Sequence, residues 1–215
     1  MRALHTLLIC FNWIIFSVNA QNDSSLYQVG MPLNDGVYLT YWDFRHNNPV
    51  LKENIEFGKN KEQLDYVGKA LEQEKLNYKL NGNTLSINSK EVWGYVQNGT
   101  FYVNYQSKFY RIPVFGAISF LVAMVEVKQS GFYDPRFGGY TGGMVTTEQR
   151  EFVMNFYEGK LSELRQDEVE LLLSRDKALY EEFSKLSNRK QKEQLYRYIR
   201  RYNQNNPVYF LKPKE

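Results

Sequence analysis

The sequence predicts an α+β protein: an antiparallel, curled β-sheet, a meander or partial barrel, followed by a strand pair and C-terminal helices. Three observations carry this. Two Asn-Gly pairs, Asn81-Gly82 and Asn98-Gly99, each separate short runs rich in β-branched and aromatic residues, which is the chemistry of two-residue hairpins. Near the other end, Val169, Leu172 and Leu173, then Leu179, Phe183 and Leu186, then Leu195, Ile199 and Tyr202 recur at helical spacing. Between the two regimes, Gly131 to Gly143 holds five of the fourteen glycines.

The first element is not part of the fold. Met1 to Ala20 has one basic residue, Arg2, an apolar stretch from Leu7 to Phe16, and Val18-Asn19-Ala20, which places small residues where a signal peptidase cuts. Cys10 lies inside the apolar stretch, so the reading is a cleaved signal peptide and not a lipidated anchor. Gln21 to Pro32 is polar and aperiodic, a mobile leader. Val37 to Phe44, dense in β-branched and aromatic residues, is predicted as the first strand, ended by Asn47-Asn48-Pro49. Ile55 and Phe57 suggest a second strand, and Leu64, Val67 and Leu71 one face of a short helix weakened by Gly68.

The Asn-Gly turns then join Leu76–Leu80 to Thr84–Ile87 and Val92–Val96 to Phe101–Tyr105, each arm alternating as a sheet with one buried face should. A turn at Gln106-Ser107-Lys108 leads to a strand at Phe109–Val114, and Val114 to Val127 reads as a buried strand. After the glycine-rich segment, Glu151–Phe156 is a further strand, with Tyr157-Glu158-Gly159-Lys160 as its turn and Leu161 and Leu164 continuing. Asp176 is placed to cap the helix carrying Leu179, and Asn205-Asn206-Pro207 stops the last helix. The organisation is therefore 1–20 signal peptide, 21–35 leader, 36–130 β-rich domain, 131–145 glycine-rich loop, and 146–215 strand pair plus helices.

Composition removes several function classes. Cleavage after Ala20 would take His5 and Cys10, leaving a cysteine-free chain with His46 as its one histidine. Nucleophilic cysteine chemistry and Cys/His zinc sites are then excluded. A Ser-His-Asp triad would have to use His46, which lies in a turn, and no Gly-x-Ser-x-Gly elbow accompanies it. The formal net charge falls from +3 to +2 with the loss of Arg2, which makes no case for nucleic acid as partner. No run after the leader approaches the roughly 18 apolar residues of a membrane span. Asn98-Gly99-Thr100 matches a glycosylation triplet, but the turn already explains it.

Carboxylates remain available: 24 acids could supply a glycosidase pair from distant parts of the chain. Asp43, Glu126 and Asp134, near predicted strand ends, are the acids to mutate first. The glycine-rich segment could cradle phosphate, but Met144-Val145 stands where a P-loop needs Lys-Ser/Thr. It is read as a mobile connection, with Arg136 and Tyr140 as the side chains to test. Trp42, Trp93 and Tyr140 are the aromatic planes that a sugar binder would expose on one face. From 185 to 201, Lys185, Arg189, Lys190, Lys192, Arg197, Arg200 and Arg201 face a single acid, Glu193. With Leu195, Ile199 and Tyr202 inward, Arg197 and Arg201 should project towards solvent, available for peripheral contact with an anionic surface.

As a set, Asp35–Phe44 with Asn48-Pro49, Val92-Trp93-Gly94-Tyr95 with Asn98-Gly99, Phe109-Tyr110-Arg111, Glu158-Gly159-Lys160, and Tyr198–Asn203 with Asn206-Pro207 resemble uncharacterised exported proteins of Bacteroidota. The resemblance implies a Gram-negative envelope, periplasm or cell surface, and no assigned activity. Its motifs are turn and packing signatures. No catalytic, cofactor-binding or metal-binding residue is assigned and no cofactor is expected. The expected function is a non-enzymatic module binding an envelope protein or glycan; the alternatives are a carboxylate-dependent hydrolase acting on a glycan and a structural component of an envelope assembly.

Overall fold

A computed structural model of the chain describes residues 24–27, 33–131, 133–136, 138–140 and 142–211. The signal peptide expected over residues 1–20 lies outside the described residues. Within the expected leader, β1 (Ser24–Tyr27) is a strand, paired antiparallel with the last one, Val208–Leu211. β2 (Gly36–Tyr38) opens the main sheet and is followed by α1 (Tyr41–Arg45), β3 (Val50–Leu51), α2 (Tyr66–Leu71) and the hairpin of β4 (Lys75–Leu80) with β5 (Asn83–Asn88). β6 (Gly94–Gln97), β7 (Thr100–Tyr105) and β8 (Lys108–Arg111) complete a five-stranded antiparallel sheet of order β3-β2-β6-β7-β8.

The strand expected over Val37–Phe44 ends early, and the reason is a capping box. The Thr40 hydroxyl accepts from Asp43 N–H (3.2 Å) while Asp43 Oδ2 accepts from Thr40 N–H (2.8 Å), so the first turn of α1 is closed reciprocally. The second strand expected at Ile55 and Phe57 reduces to a single bridge between Ile55 and Tyr78. α2 buries Val67 and Leu71 as expected, whereas Leu64 precedes the helix and is exposed. Gly68 has a packing reason: a Cβ there would lie 3.3 Å from the Tyr95 hydroxyl.

Both Asn-Gly turns form, with φ of 51° and 80° at Asn81 and Gly82 and 51° and 67° at Asn98 and Gly99. Gln106 and Ser107 adopt the same left-handed pair (51° and 63°), so β8 begins at Lys108, one residue before the expected start. In the β4–β5 hairpin, β4 alternates as expected and buries Leu76 and Tyr78, but the β6–β7 hairpin does not face a core on one side alone. Along β2, β6 and β7, Tyr38, Val96, Phe101 and Val103 enter one core, while Val37 and Tyr95 enter a second beneath α2 and the β4–β5 hairpin. A sheet covered on both faces loses the apolar–polar alternation, which is why β2 is buried at all three positions.

β9 (Ile118–Gln129) and β12 (Met144–Asn155) pair over twelve residues each, and β13 (Lys160–Glu163) adds to the end of β12 nearer the core. Val114, expected to start this strand, makes only an isolated bridge to Phe120. The glycine-rich segment is the far end of this ribbon, where β10 (Tyr133–Asp134) and β11 (Gly139–Tyr140) pair. α3 (Gln166–Leu173), α4 (Lys177–Ser184) and α5 (Asn188–Asn205) follow, and β14 (Val208–Leu211) returns to β1. All nine apolar positions expected to face inward from these helices are buried or half-buried. Asp176 Oδ1 caps α4 through Leu179 N–H at 3.1 Å, and α5 stops at Asn205.

Candidate functional site

The most unusual placement in the fold is Arg45. The capping box fixes α1 so that Phe44 enters the main core, stacked on Phe101 with centroids 4.7 Å apart and crossed by Phe156 and Phe210. The next residue must then enter the packed layer too, and Arg45 is only 8% exposed. Its guanidinium lies 4.6 Å from the Phe156 ring centre and 5.2 Å from that of Tyr157. Nη1 donates to the Tyr41 hydroxyl (3.3 Å) and Nη2 to the Tyr209 carbonyl (3.4 Å), while Nε is buried without a partner. Among the described residues no carboxylate forms an ion pair with it. Aromatic faces supply its compensation. Burial pushes the Tyr41 phenol up, and Arg45 pulls it back; the Tyr41 hydroxyl donates to the Phe156 carbonyl at 2.7 Å.

Three aromatic side chains of the segments that hold this cation reach solvent. Trp42, one turn before Arg45 on α1, is 63% exposed, and Tyr157 and Tyr209 are each 42% exposed. Beside Tyr157 opens a cleft of about 230 Å³ lined by Asn155, Glu158, Lys160, Glu168 and Arg175. Glu158 there is held by Arg175 (2.9 Å) and by the Asn155 amide (2.8 Å). The turn carrying Tyr157 is fixed by Gly159, whose φ is +65° and whose place allows no Cβ, since one would lie 2.4 Å from the Tyr41 ring. Trp42 is linked to this turn through Tyr41, whose ring centre lies 5.7 Å from that of the indole and whose edge packs on Gly159.

Of the residues singled out from sequence, Trp42 belongs to this surface. Trp93 does not: it is half-buried between Phe44 and Phe101. The side chain of Tyr140 lies outside the described residues, as does that of Asp134. Asp43 is committed to the capping box, and Glu126 is exposed, 3.6 Å from Lys108. His46 ends α1, its Nδ1 2.7 Å from the Trp42 carbonyl. Arg136 lies in the turn between β10 and β11, exposed. Arg45, Tyr157 and Tyr209 were not anticipated, although Thr40-Tyr41-Trp42-Asp43 carries the capping-box pattern that would have moved Tyr41–Arg45 from strand to helix.

Several carboxylates elsewhere are held by cations or amides. Arg150 lies between Glu148 and Glu163, 3.1 Å from each. Hydrogen bonds hold Asp65, Asp176 and Glu182 below the usual carboxylate range, from Lys69, Asn205 and Arg201 respectively; a general acid needs the opposite shift. A larger cleft, about 570 Å³, opens where α2 meets β6 and β8, and brings Glu72 and Glu74 together with Lys90 and Lys108 beside Tyr95. Burial pushes the Tyr95 phenol up. Arg201 projects from α5 to a partly exposed position, as expected, but its charge is not free. It lies against the Tyr198 ring and grips Glu182 with both Nη atoms at 2.6 Å.

No curated protein and no solved structure matches the chain. A family model does, over residues 36–206. That span runs from β2 to the cap of α5 and takes in Trp42, Arg45 and Tyr157, leaving Tyr209 just beyond it. The chain belongs to the family of unknown function DUF6563.

Proposed function

We propose that this protein is a non-enzymatic binding module of a Gram-negative cell envelope, exported by its N-terminal segment, and that it holds a glycan chain on the aromatic surface around Arg45. The observation that carries the reading is the exposure of Trp42 on a helix whose orientation is fixed by a capping box and by the buried Phe44. An indole so exposed loses apolar contact that a ligand restores, and a rigid mount lowers the ordering cost of binding. A sugar ring presents C–H groups on its faces and hydroxyls at its edges. Trp42, Tyr157 and Tyr209 suit the faces; Asn155, Glu158, Lys160 and Arg175 in the adjoining cleft suit the edges.

The test is retardation of the purified protein in gels containing envelope polysaccharides, with Trp42→Ala beside the wild type. Retardation by at least one polysaccharide, with about tenfold weaker binding in the variant (about 1.4 kcal/mol), is the expected result. Equal retardation of both proteins, or none of either, would overturn the assignment. New reducing ends on incubation would move it to the hydrolase reading.

A further inference from the structure

The ribbon formed by β9 and β12 has one face that the fold covers only at its base. Phe120, Val122, Met124, Glu126 and Lys128 lie on that face, opposite Val153, Glu151, Gln149, Thr147 and Val145. α5 covers its start: Tyr196 stands edge-on to Phe120 at 4.7 Å and donates its hydroxyl to Glu151 at 2.6 Å. Beyond Tyr196 the covering stops. Val122, Met124 and Val145 are 36%, 46% and 57% exposed, and Tyr196 itself 39%.

The exposed apolar side chains of this face, Val122 and Met124 next to α5 and Val145 beyond the Glu126–Thr147 row, stand among polar ones and have positive charge beside them. On α5 the buried side runs through Gln191, Leu195, Tyr198, Ile199 and Tyr202. Helical periodicity then puts Lys192 and Arg200 one turn either side of Tyr196, with Lys190 and Arg197 farther round the outer face. Arg189 spends its charge on Glu193 (2.9 Å). Lys190, Lys192, Arg197 and Arg200 are exposed and form no ion pair among the described residues. Of the acids of the ribbon face, Glu126 is paired with Lys108, while Glu151 accepts from the Tyr196 hydroxyl and keeps its charge, one anion against the four cations of α5.

We infer that this face rests on an anionic lipid bilayer, with Val122, Met124, Val145 and Tyr196 entering the headgroup region and the α5 cations meeting lipid phosphates. The combination selects the occupant. A soluble polyanion would use the cations and ignore the exposed apolar side chains, and an apolar partner would gain nothing from Lys192 and Arg200 beside them, whereas a bilayer of acidic lipids offers both chemistries at one depth. No described helix is long and apolar enough to cross a membrane, so the contact is peripheral. The inference does not depend on the glycan surface.

Co-sedimentation with phosphatidylglycerol/phosphatidylethanolamine vesicles at low salt tests it, with phosphatidylcholine vesicles and soluble polyphosphate in parallel. The wild type should pellet with the anionic vesicles, release at high salt, and stay in solution with phosphatidylcholine. Arg197→Glu with Arg200→Glu, and separately Met124→Asp, should each weaken partitioning at least tenfold, while Trp42→Ala leaves it unchanged. Absence of vesicle binding at low salt would overturn the inference. So would an unaltered Met124→Asp, because polyphosphate-like binding through the cations alone would then account for the result.

Discussion

Glu182 shows how one exposed residue organises the helical layer. It accepts from both Nη atoms of Arg201 (2.6 Å each) and from the Tyr198 hydroxyl (2.9 Å), joining α4 to α5. Those partners, Arg201 first, lower its pKa from 4.5 to about 2. A carboxylate whose folded pKa is depressed contributes stability that is complete above its unfolded pKa and is lost as pH falls through the folded value. Thermal unfolding of wild type and Glu182→Gln should therefore differ most above pH 4.5, and the gap should close towards about pH 2. A gap independent of pH over that window would mean that the amide loses packing and not charge. The pair is exposed to solvent, so the gap at pH 7 should also shrink in high salt.

Among the elements, those governed by local chemistry were legible and those governed by tertiary partners were not. Asn-Gly accepts the positive φ that a two-residue hairpin turn demands, so the β4–β5 and β6–β7 hairpins could be read directly; Gln106-Ser107 takes the same conformation without the favoured residues, and only its strand boundary was misplaced. The helices of the C-terminal part followed from period and from Asp176. α1 was missed because its aromatic residues outweighed a capping box already present in Thr40 and Asp43, and with α1 went Arg45, the centre of the proposed site. The second core was invisible for a different reason: nothing in the alternation of β6 and β7 says that α2 covers the opposite face. Asn203 is of this tertiary kind. Its side chain accepts from Ile118 N–H and donates to Ile118 C=O, both at 2.8 Å, fastening α5 to the start of β9. Gly116 makes the room, since a Cβ there would lie 2.5 Å from the Asn203 amide. Asn203→Ala leaves two backbone groups of a buried residue unpaired and should cost about 2 kcal/mol. Urea unfolding should show a lower midpoint with an unchanged slope.

The molecule as a whole is supported unevenly, and the ribbon records the gradient. Near its base Leu121, Ala123 and Val125 are buried, as are Phe152 and Val153. From Glu126↔Thr147 outward to Gln129↔Met144 no residue is buried and the ladder is two strands wide. A two-stranded ribbon whose contact with the core is reduced to the half-buried Val127 is marginal in water, so local opening there should need far less free energy than global unfolding. Hydrogen exchange should then separate one continuous pair of strands into two regimes: amides of 118–125 and 150–155 protected close to the global limit, and those of 126–129 and 144–147 exchanging orders of magnitude faster. The same measurement bears on the proposed bilayer contact. Anionic vesicles should slow exchange in the outer segment and leave the base unchanged, because a surface that covers Val145 and Met124 supplies the support the fold withholds. Uniform protection along the ribbon in solution would show that the outer segment needs no partner to be stable.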